Sequence, residues 1–500
     1  MKKQHNTHKA EQKKWHKHDL YSWLIFMFMP LLWQSLMAQN CQMEIVVTNK
    51  NDAGQGSLRQ AITEACVGAI ITFEPGINAG EIILTSGEIR IDKPLTILGL
   101  GADRLGISGD NQSRVFHIAA SINDSIRIDG LRISKGTAFG AAEYPYRGGG
   151  IYNSATLILS NCQVIDNGMA FPAFLQGGGI YNQGKLIVQH TLIAGNELNA
   201  YTNSAAGSGL YNAGEASFTF SQIMANRAIG YPSGGGIYND QAKLKLSYSI
   251  LDSNFVGGAP VHTAGSGAAL HNEEGQVSIY ASSFSGNFSA YLGGAITNNK
   301  GQISMENSTI SGNEAYYGGG IQNHAASTFN ISHTTIVNNL AEQKERANPD
   351  GGGINNDGTI WITNSILANN IKEPALEDAS PSDVAGTISS QGYNIIGVND
   401  LGLTPSAGDL FGTISNPLDP QLDVLKNNGG YTYTHNLLPN SPAIDAGLLS
   451  EATPAEDQRK FVRNQIPDIG ALEFLAAPPN CVVTSPNDHL PGSLRYTIAH

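Results

Sequence analysis

The residues best able to do chemistry in this 500-residue chain are carboxylates, and their spacing argues against a catalytic pair. Cleaving a glycosidic bond needs two carboxyl groups facing one groove, about 5 to 9.5 Å apart. Asp166, Asp252, Glu273, Glu274 and Glu314 fall singly at turns or loops and form no column. An elimination would instead need clustered carboxylates to hold calcium, and a base to take the substrate proton. Asp350 and Asp357, near Lys344, Glu345 and Arg346, come closest to that set. The 13 histidines lack ligand spacing, so no metal site is expected from them. Asp445, Asp457, Arg459, Arg463, Asp468 and Glu473 mix both signs of charge; they suggest an ion-pair network, with calcium as the alternative and no other cofactor in view. No residue is assigned as catalytic.

These side chains hang on a repeat. Gly148-Gly149-Gly150-Ile151-Tyr152-Asn153 returns seven times, as Gly177 to Asn182, Gly207 to Asn212 and onward to Gly351 to Asn356, its closing Asn recurring every 25 to 33 residues. Each copy continues with apolar residues two apart, such as Leu157/Leu159 and Leu244/Leu246, which is the period of a strand. Ser, Thr or Cys follows three residues later, then an apolar residue and a second Asn. That second column is Asn167, Asn196, Asn226, Asn254, Asn287, Asn313, Asn339 and Asn370.

Three short strands per repeat cannot bury an apolar face alone, but stacked coils about 4.8 Å apart can. The expected fold is all-β: a right-handed, single-stranded parallel β-helix, a solenoid of about ten to twelve coils starting near residue 80. The Asn columns should mark turns, because Asn tolerates left-handed backbone and can bond the same amide one coil above. Cys162 stands in the Ser/Thr column and reads as a small buried thiol. Leu58, Ala61, Ile62 and Ala65 lie at helical spacing, and Ser57 with Gln60 forms a capping-box pattern. A short N-terminal capping helix should plug the first coil.

Residues 1–38 read as a secretory signal peptide: a basic stretch, the apolar run Trp23 to Trp33, and small residues up to Ala38. Pro30 and Gln34 leave that run short of a spanning helix, so no membrane span is expected after processing. An N-terminal cap module over 39–80, repeats over 81–370 and C-terminal coils with a closing cap over 371–475 follow. Export permits Cys41 to pair with Cys66. Without residues 1–38 the chain keeps 23 basic and 40 acidic residues, a net charge of −17, which excludes nucleic acid as a partner.

The insertions between each second-column Asn and the next glycine triplet fall at one corner and are rich in rings. They hold Phe139, Tyr144, Tyr146, Phe171, Phe174, Phe288 and the candidate binding residues Tyr201, Tyr231, Phe255, Tyr291, Tyr316 and Tyr317. Aromatic faces with few charges suit sugar rings or a protein partner. The repeat tyrosines Tyr152, Tyr181, Tyr211 and Tyr238 should face outward and stack.

Val46-Val47-Thr48-Asn49-Lys50-Asn51-Asp52 followed by Gly56-Ser57-Leu58-Arg59-Gln60-Ala61-Ile62 resembles the CSLREA-type opening module of bacterial surface β-helices. Leu418-Asp419-Pro420-Gln421-Leu422, Asn440-Ser441-Pro442-Ala443-Ile444-Asp445-Ala446-Gly447 and Asp468-Ile469-Gly470-Ala471-Leu472-Glu473 resemble the closing segment of choice-of-anchor Q proteins. Gly293-Gly294-Ala295-Ile296 and Phe284-Ser285-Gly286-Asn287 are similar to motifs of chlamydial polymorphic outer-membrane proteins. Cys481 to Arg495 repeats the opening module, so residues 476–500 read as a truncated second one. The resemblance implies a secreted or cell-surface protein on the outer membrane of a Gram-negative bacterium. The functional expectation is a non-enzymatic adhesin or display scaffold that binds a glycan or a cell-surface protein. The alternative is a polysaccharide lyase or glycoside hydrolase, although no Asn-Thr-Asp, Gly-His or Arg-Ile-Lys set like that of polygalacturonases is present.

Overall fold

A computed structural model describes residues 41–475, apart from 78, 140, 142, 259–263, 343–350, 373–379 and 400–402. The expected signal peptide (1–38) and the expected second opening module (476–500), with Lys344, Glu345, Arg346 and Asp350, lie outside the described residues.

Alternating residues make each strand half apolar, and stacking like on like buries that half. The result is a parallel β-solenoid. Its first face carries the Ile-Tyr-Asn strands, eleven rungs from Ile89–Ile91 to Val384–Ala385. The second carries the apolar pairs, thirteen rungs from Gln42–Val47 to Ser389–Ser390. The third carries the strands after the Ser/Thr column, thirteen rungs from Gly80–Ile83 to Leu410–Phe411. Register is strict: Tyr152 lies over Tyr181, Tyr181 over Tyr211, and Leu157 over Leu186. Stacking already begins inside the 39–80 segment, where Gln42–Val47 pairs with Ala65–Phe73.

A fourth sheet corrects the expectation of three strands per coil. It runs from Gly168–Ala170 through Glu197–Ala206, Arg227–Ser233 and Phe288–Leu292 to Ile371–Lys372, in parallel pairs. Only the step from Ile371–Lys372 to Ser380–Pro381 is antiparallel. The ring-bearing insertions are therefore largely strands rather than corner loops. Their inward residues are mostly small, among them Ala200, Ala228, Val256, Ala315 and Ala341, all buried, so a modest side chain sufficed to hold each rung.

The turns also differ from expectation. The left-handed residue is the one before each second-column Asn: Asp166, Gly195, Ala225, Ser253, Gly286, Gly312, Asn338 and Asn369 all have positive φ. The Asn itself is free to act through its amide. In the glycine triplets, Gly148 has φ 64°, and a Cβ on Gly150 would stand 2.7 Å from the Gly179 carbonyl oxygen.

One apolar core runs from Ile45 to Ile396 and includes Leu58, Ala61 and Ile62 of the helix Leu58–Glu64. The capping box is only half formed. Ser57 Oγ accepts the Gln60 N–H at 3.2 Å, but the Gln60 side chain turns to Glu64, 2.7 Å away. Cys41 and Cys66 are disulfide-bonded, tying the first strand to the second. No helix among the described residues is long and apolar enough to cross a membrane.

The closing segment, expected as an end cap, lies along the side instead. Tyr431 donates to the Phe220 carbonyl, Thr432 to that of Ala281 at 3.3 Å, and Leu448 N–H to Asn364 Oδ1 at 2.8 Å. It thus covers the corner between the second and third faces across several coils. The reason is on the third face, whose outward residues there (Thr335, Val337, Ile366, Ala368) are apolar or small and demand cover.

Candidate functional site

The fourth face sets the insertion rings on a ladder. Its outward rungs place Glu197, Arg227, Phe255, Phe288 and Glu314 one above another. Phe255 stacks on Phe288 at 5.3 Å and 10°, and the Arg227 guanidinium lies 4.8 Å over Phe255. Tyr201 and Tyr231 are 56% and 53% exposed. Farther along, Tyr291, Tyr316 and Tyr317 form a cluster, with centroids 4.8 to 6.2 Å apart. At the other end Phe171 packs against Phe139 at 5.0 Å and Tyr146 at 5.3 Å, while Phe174 is exposed. The proposed residues therefore share one face but form separate groups along it.

Tyr144 leaves this set. It stacks on Tyr152 at 4.3 Å and heads the first-face column, which continues through Tyr181, Tyr211 and Tyr238 to His271. These rings point away from the core, yet Tyr152, Tyr181 and Tyr211 are buried by one another and by neighbours. Arg114 and Arg147 lie over Tyr152 and Tyr181, and Tyr211 donates to Asp240 at 2.6 Å. Burial raises the Tyr152, Tyr211 and Tyr238 phenols above their ordinary range. The column is structural.

Both Asn columns are hydrogen-bonded ladders. Asn153 Nδ2 donates to Asn182 Oδ1 at 2.7 Å, and Asn182 to Asn212 at 2.7 Å. In the second column Asn167, Asn196, Asn226, Asn254, Asn287, Asn313 and Asn339 each donate to the next amide, the last to Asn370. Asp383 ends the run, accepting from Asn370 Nδ2 at 2.9 Å and from Val398 N–H at 2.7 Å. A carboxylate suits the last rung because it only accepts. Burial pushes the Cys162 thiol up to about 11, the behaviour of an inert core cysteine.

Most of the scattered carboxylates are tied locally. Asp252 accepts from Ser285, Asp357 from Gln322 at 3.2 Å, and Glu273 from Asn299 at 2.9 Å beside His271 at 3.1 Å; Glu274 pairs with Lys300. Asp166 and Glu197 line one shallow cleft with Asn111 and Thr137. In the side plate Arg459 pairs with Asp457 at 2.6 Å and Arg463 with Glu473 at 3.3 Å, all four buried. Asp445 joins through its backbone N–H, which donates to Asp468. Burial raises Asp468 to about 6. Among the described residues no group of three His, Cys, Asp or Glu is placed to hold a metal ion.

Sequence reasoning passed over two features. Near the N-terminus Arg114 is fully buried and donates to Glu88 and to the carbonyls of Tyr144, Arg147 and Gly148. Burial alone would raise Glu88, but its bond to His117 and the Arg114 charge outweigh it and hold the carboxylate below its usual range. The second feature is a trough of about 490 Å³ on the second face, floored by the residue between the two apolar positions of each rung: Ser217, Lys245, Ser278, Ser304 and Asn330. The signal was the polarity of that middle residue, hidden by attention to its apolar neighbours.

No protein-family model matches the chain, and no curated protein matches it. Among solved structures it is similar to the crystal structure of pectate lyase Pel9A, at 14% identity and a TM-score of 0.44, over 87% of this chain and 98% of that one. That likeness carries nothing about activity; the chain's own four-faced parallel β-solenoid is what positions its candidate sites.

Proposed function

We propose that this chain is an exported surface protein, an adhesin or display scaffold of a Gram-negative outer membrane, that binds glycans without cleaving them. The observation that supports this reading is the ring ladder of the fourth face, where Phe255 and Phe288 stack outward and Tyr201 and Tyr231 stand more than half exposed. Rigid rings lose little side-chain freedom on binding, and their faces suit the apolar faces of sugars. Each contact is weak, so affinity accumulates over neighbouring coils. Replacing Tyr201, Tyr231, Phe255 and Tyr291 together by Ser should leave circular dichroism unchanged and abolish attachment to glycans or cells. Attachment that survives with the fold intact would reduce these rings to a hydrophobic cover.

A second reading, polysaccharide hydrolysis, is favoured by one observation: Asp166 and Glu197 share a cleft. It predicts release of reducing ends that Asp166→Asn and Glu197→Gln each abolish.

A further inference from the structure

We propose that the trough on the second face is a separate binding site for an extended, sparsely charged acidic glycan, one of whose carboxylates sits between Lys243 and Lys245. Ser217, Lys245, Ser278, Ser304 and Asn330 follow one another in register along its floor, one per coil. The hydroxyl and amide groups of Ser217, Ser278, Ser304 and Asn330 both give and accept hydrogen bonds. From Ser278 to Asn330 they repeat about every 4.8 Å along the rod, and the Lys245 ammonium, which only donates, lies between Ser217 and Ser278. A polymer of sugar hydroxyls matches such a floor. A peptide does not, because every strand beneath is paired on both sides and offers no edge for an added strand.

Charge selects the glycan further. Lys243 and Lys245 are exposed on the same side of one strand, roughly 7 Å apart. Nearby lysines have partners: Lys185 pairs with Glu215 at 3.6 Å and Lys300 with Glu274 at 3.2 Å. Among the described residues no carboxylate stands within 4.0 Å of either Lys243 or Lys245. Two cations left unpaired on a chain of net charge −13 mark a place for an anion from outside. Glu215, in register with Lys243 on the adjacent coil, borders the trough at one end, and Glu306 lines its continuation past Ser278 and Ser304. A densely sulfated polymer would carry charge past both carboxylates, whereas one with a carboxylate on alternate sugars can set a single charge at the lysine rung and neutral sugars beside Glu215 and Glu306.

The site is independent of the fourth face, from which the first and third faces separate it. Calorimetric titration of the full chain tests it with three oligosaccharides long enough to span several coils. One is hyaluronan, which alternates glucuronate with a neutral sugar; the others are a neutral cello-oligosaccharide and a heparin fragment. Hyaluronan should bind, weaken as salt rises, and lose about tenfold or more in affinity in the Lys243→Gln/Lys245→Gln variant. Circular dichroism should be unchanged, since both side chains are exposed. The proposal is overturned if hyaluronan does not bind, if the neutral sugar binds this site as well or heparin binds better, or if the double variant binds like the parent. Binding lost in this variant but kept in the aromatic one, or the reverse, tells which of the two faces failed.

Discussion

Replacing Asn226 by Ala should destabilise the array by about 3 to 5 kcal/mol, and the ladder geometry says why. The side chain is fully buried. Its Nδ2 donates to the Ile193 carbonyl at 3.1 Å and to Asn254 Oδ1 at 3.0 Å, and its Oδ1 accepts from the N–H of Asn196 at 3.2 Å and from Asn196 Nδ2 at 2.9 Å. After truncation Asn196 Nδ2 keeps the Val164 carbonyl, and Asn254 Oδ1 keeps the Asn226 N–H. The backbone N–H of Asn196 loses its acceptor in a dry interior. The four lost neutral bonds cost about 0.5 kcal/mol each, the low end because partners such as Asn196 Nδ2 and Asn254 Oδ1 keep a second bond, and the orphaned buried donor adds about 1 to 3. Urea unfolding followed by circular dichroism measures the sum, with the exposed Gln276→Ala as control, and hydrogen exchange at Asn196 locates it. Because a solenoid couples only neighbours, protection should fail first in the coils around Asn226. A loss under about 1 kcal/mol with unchanged denaturant slope would refute the reasoning.

Three further outcomes follow from buried charge. Hydrogen bonds from Ser86, Arg59 and Thr85, with the Arg59 charge, overcome the burial that would raise Asp52 and hold it at about 2. A depressed carboxylate stabilises the fold above its unfolded value of 3.8 and loses that contribution as pH falls toward 2, about 2 kcal/mol in all; in an acid titration Asp52→Asn should flatten this slope. Asp468 has the opposite sign: raised to about 6, it favours folding below 3.8 and loses that advantage as pH rises through 6, so the side plate should resist proteolysis better near pH 4 than at neutral pH, and Asp468→Asn should remove the difference. A chelator should leave thermal unfolding unshifted, because Asp457 is already saturated by the Arg459 guanidinium and the N–H groups of Arg459, Phe461 and Glu473; a clear drop would place calcium in the plate.

The solenoid was legible because its signals repeat in register: glycine triplets, apolar pairs such as Leu157/Leu159, and two columns of Asn. The fourth sheet was not, because its inward residues are small, as at Ala228 and Ala315, and alternate with rings that look like loop residues. The side plate was hidden for a different reason. Nothing local announces that the outward residues Thr335 and Ile366 will be covered by a segment more than a hundred residues away in sequence, such as Gly470 and Ala471. Asp383 shows the limit of pattern reading in miniature. It continues the Asn ladder with a different residue, chosen for what lies beyond it, the Val398 N–H.

The central claim, binding without cleavage through the fourth-face rings, is tested most directly by retention of the full chain on immobilised neutral glycans. Eluted sugar should be assayed in parallel for reducing and unsaturated ends. Retention should grow with glycan length and change little with salt, and no new ends should be released. Release of new ends, or no retention on any glycan by a folded chain, would contradict it.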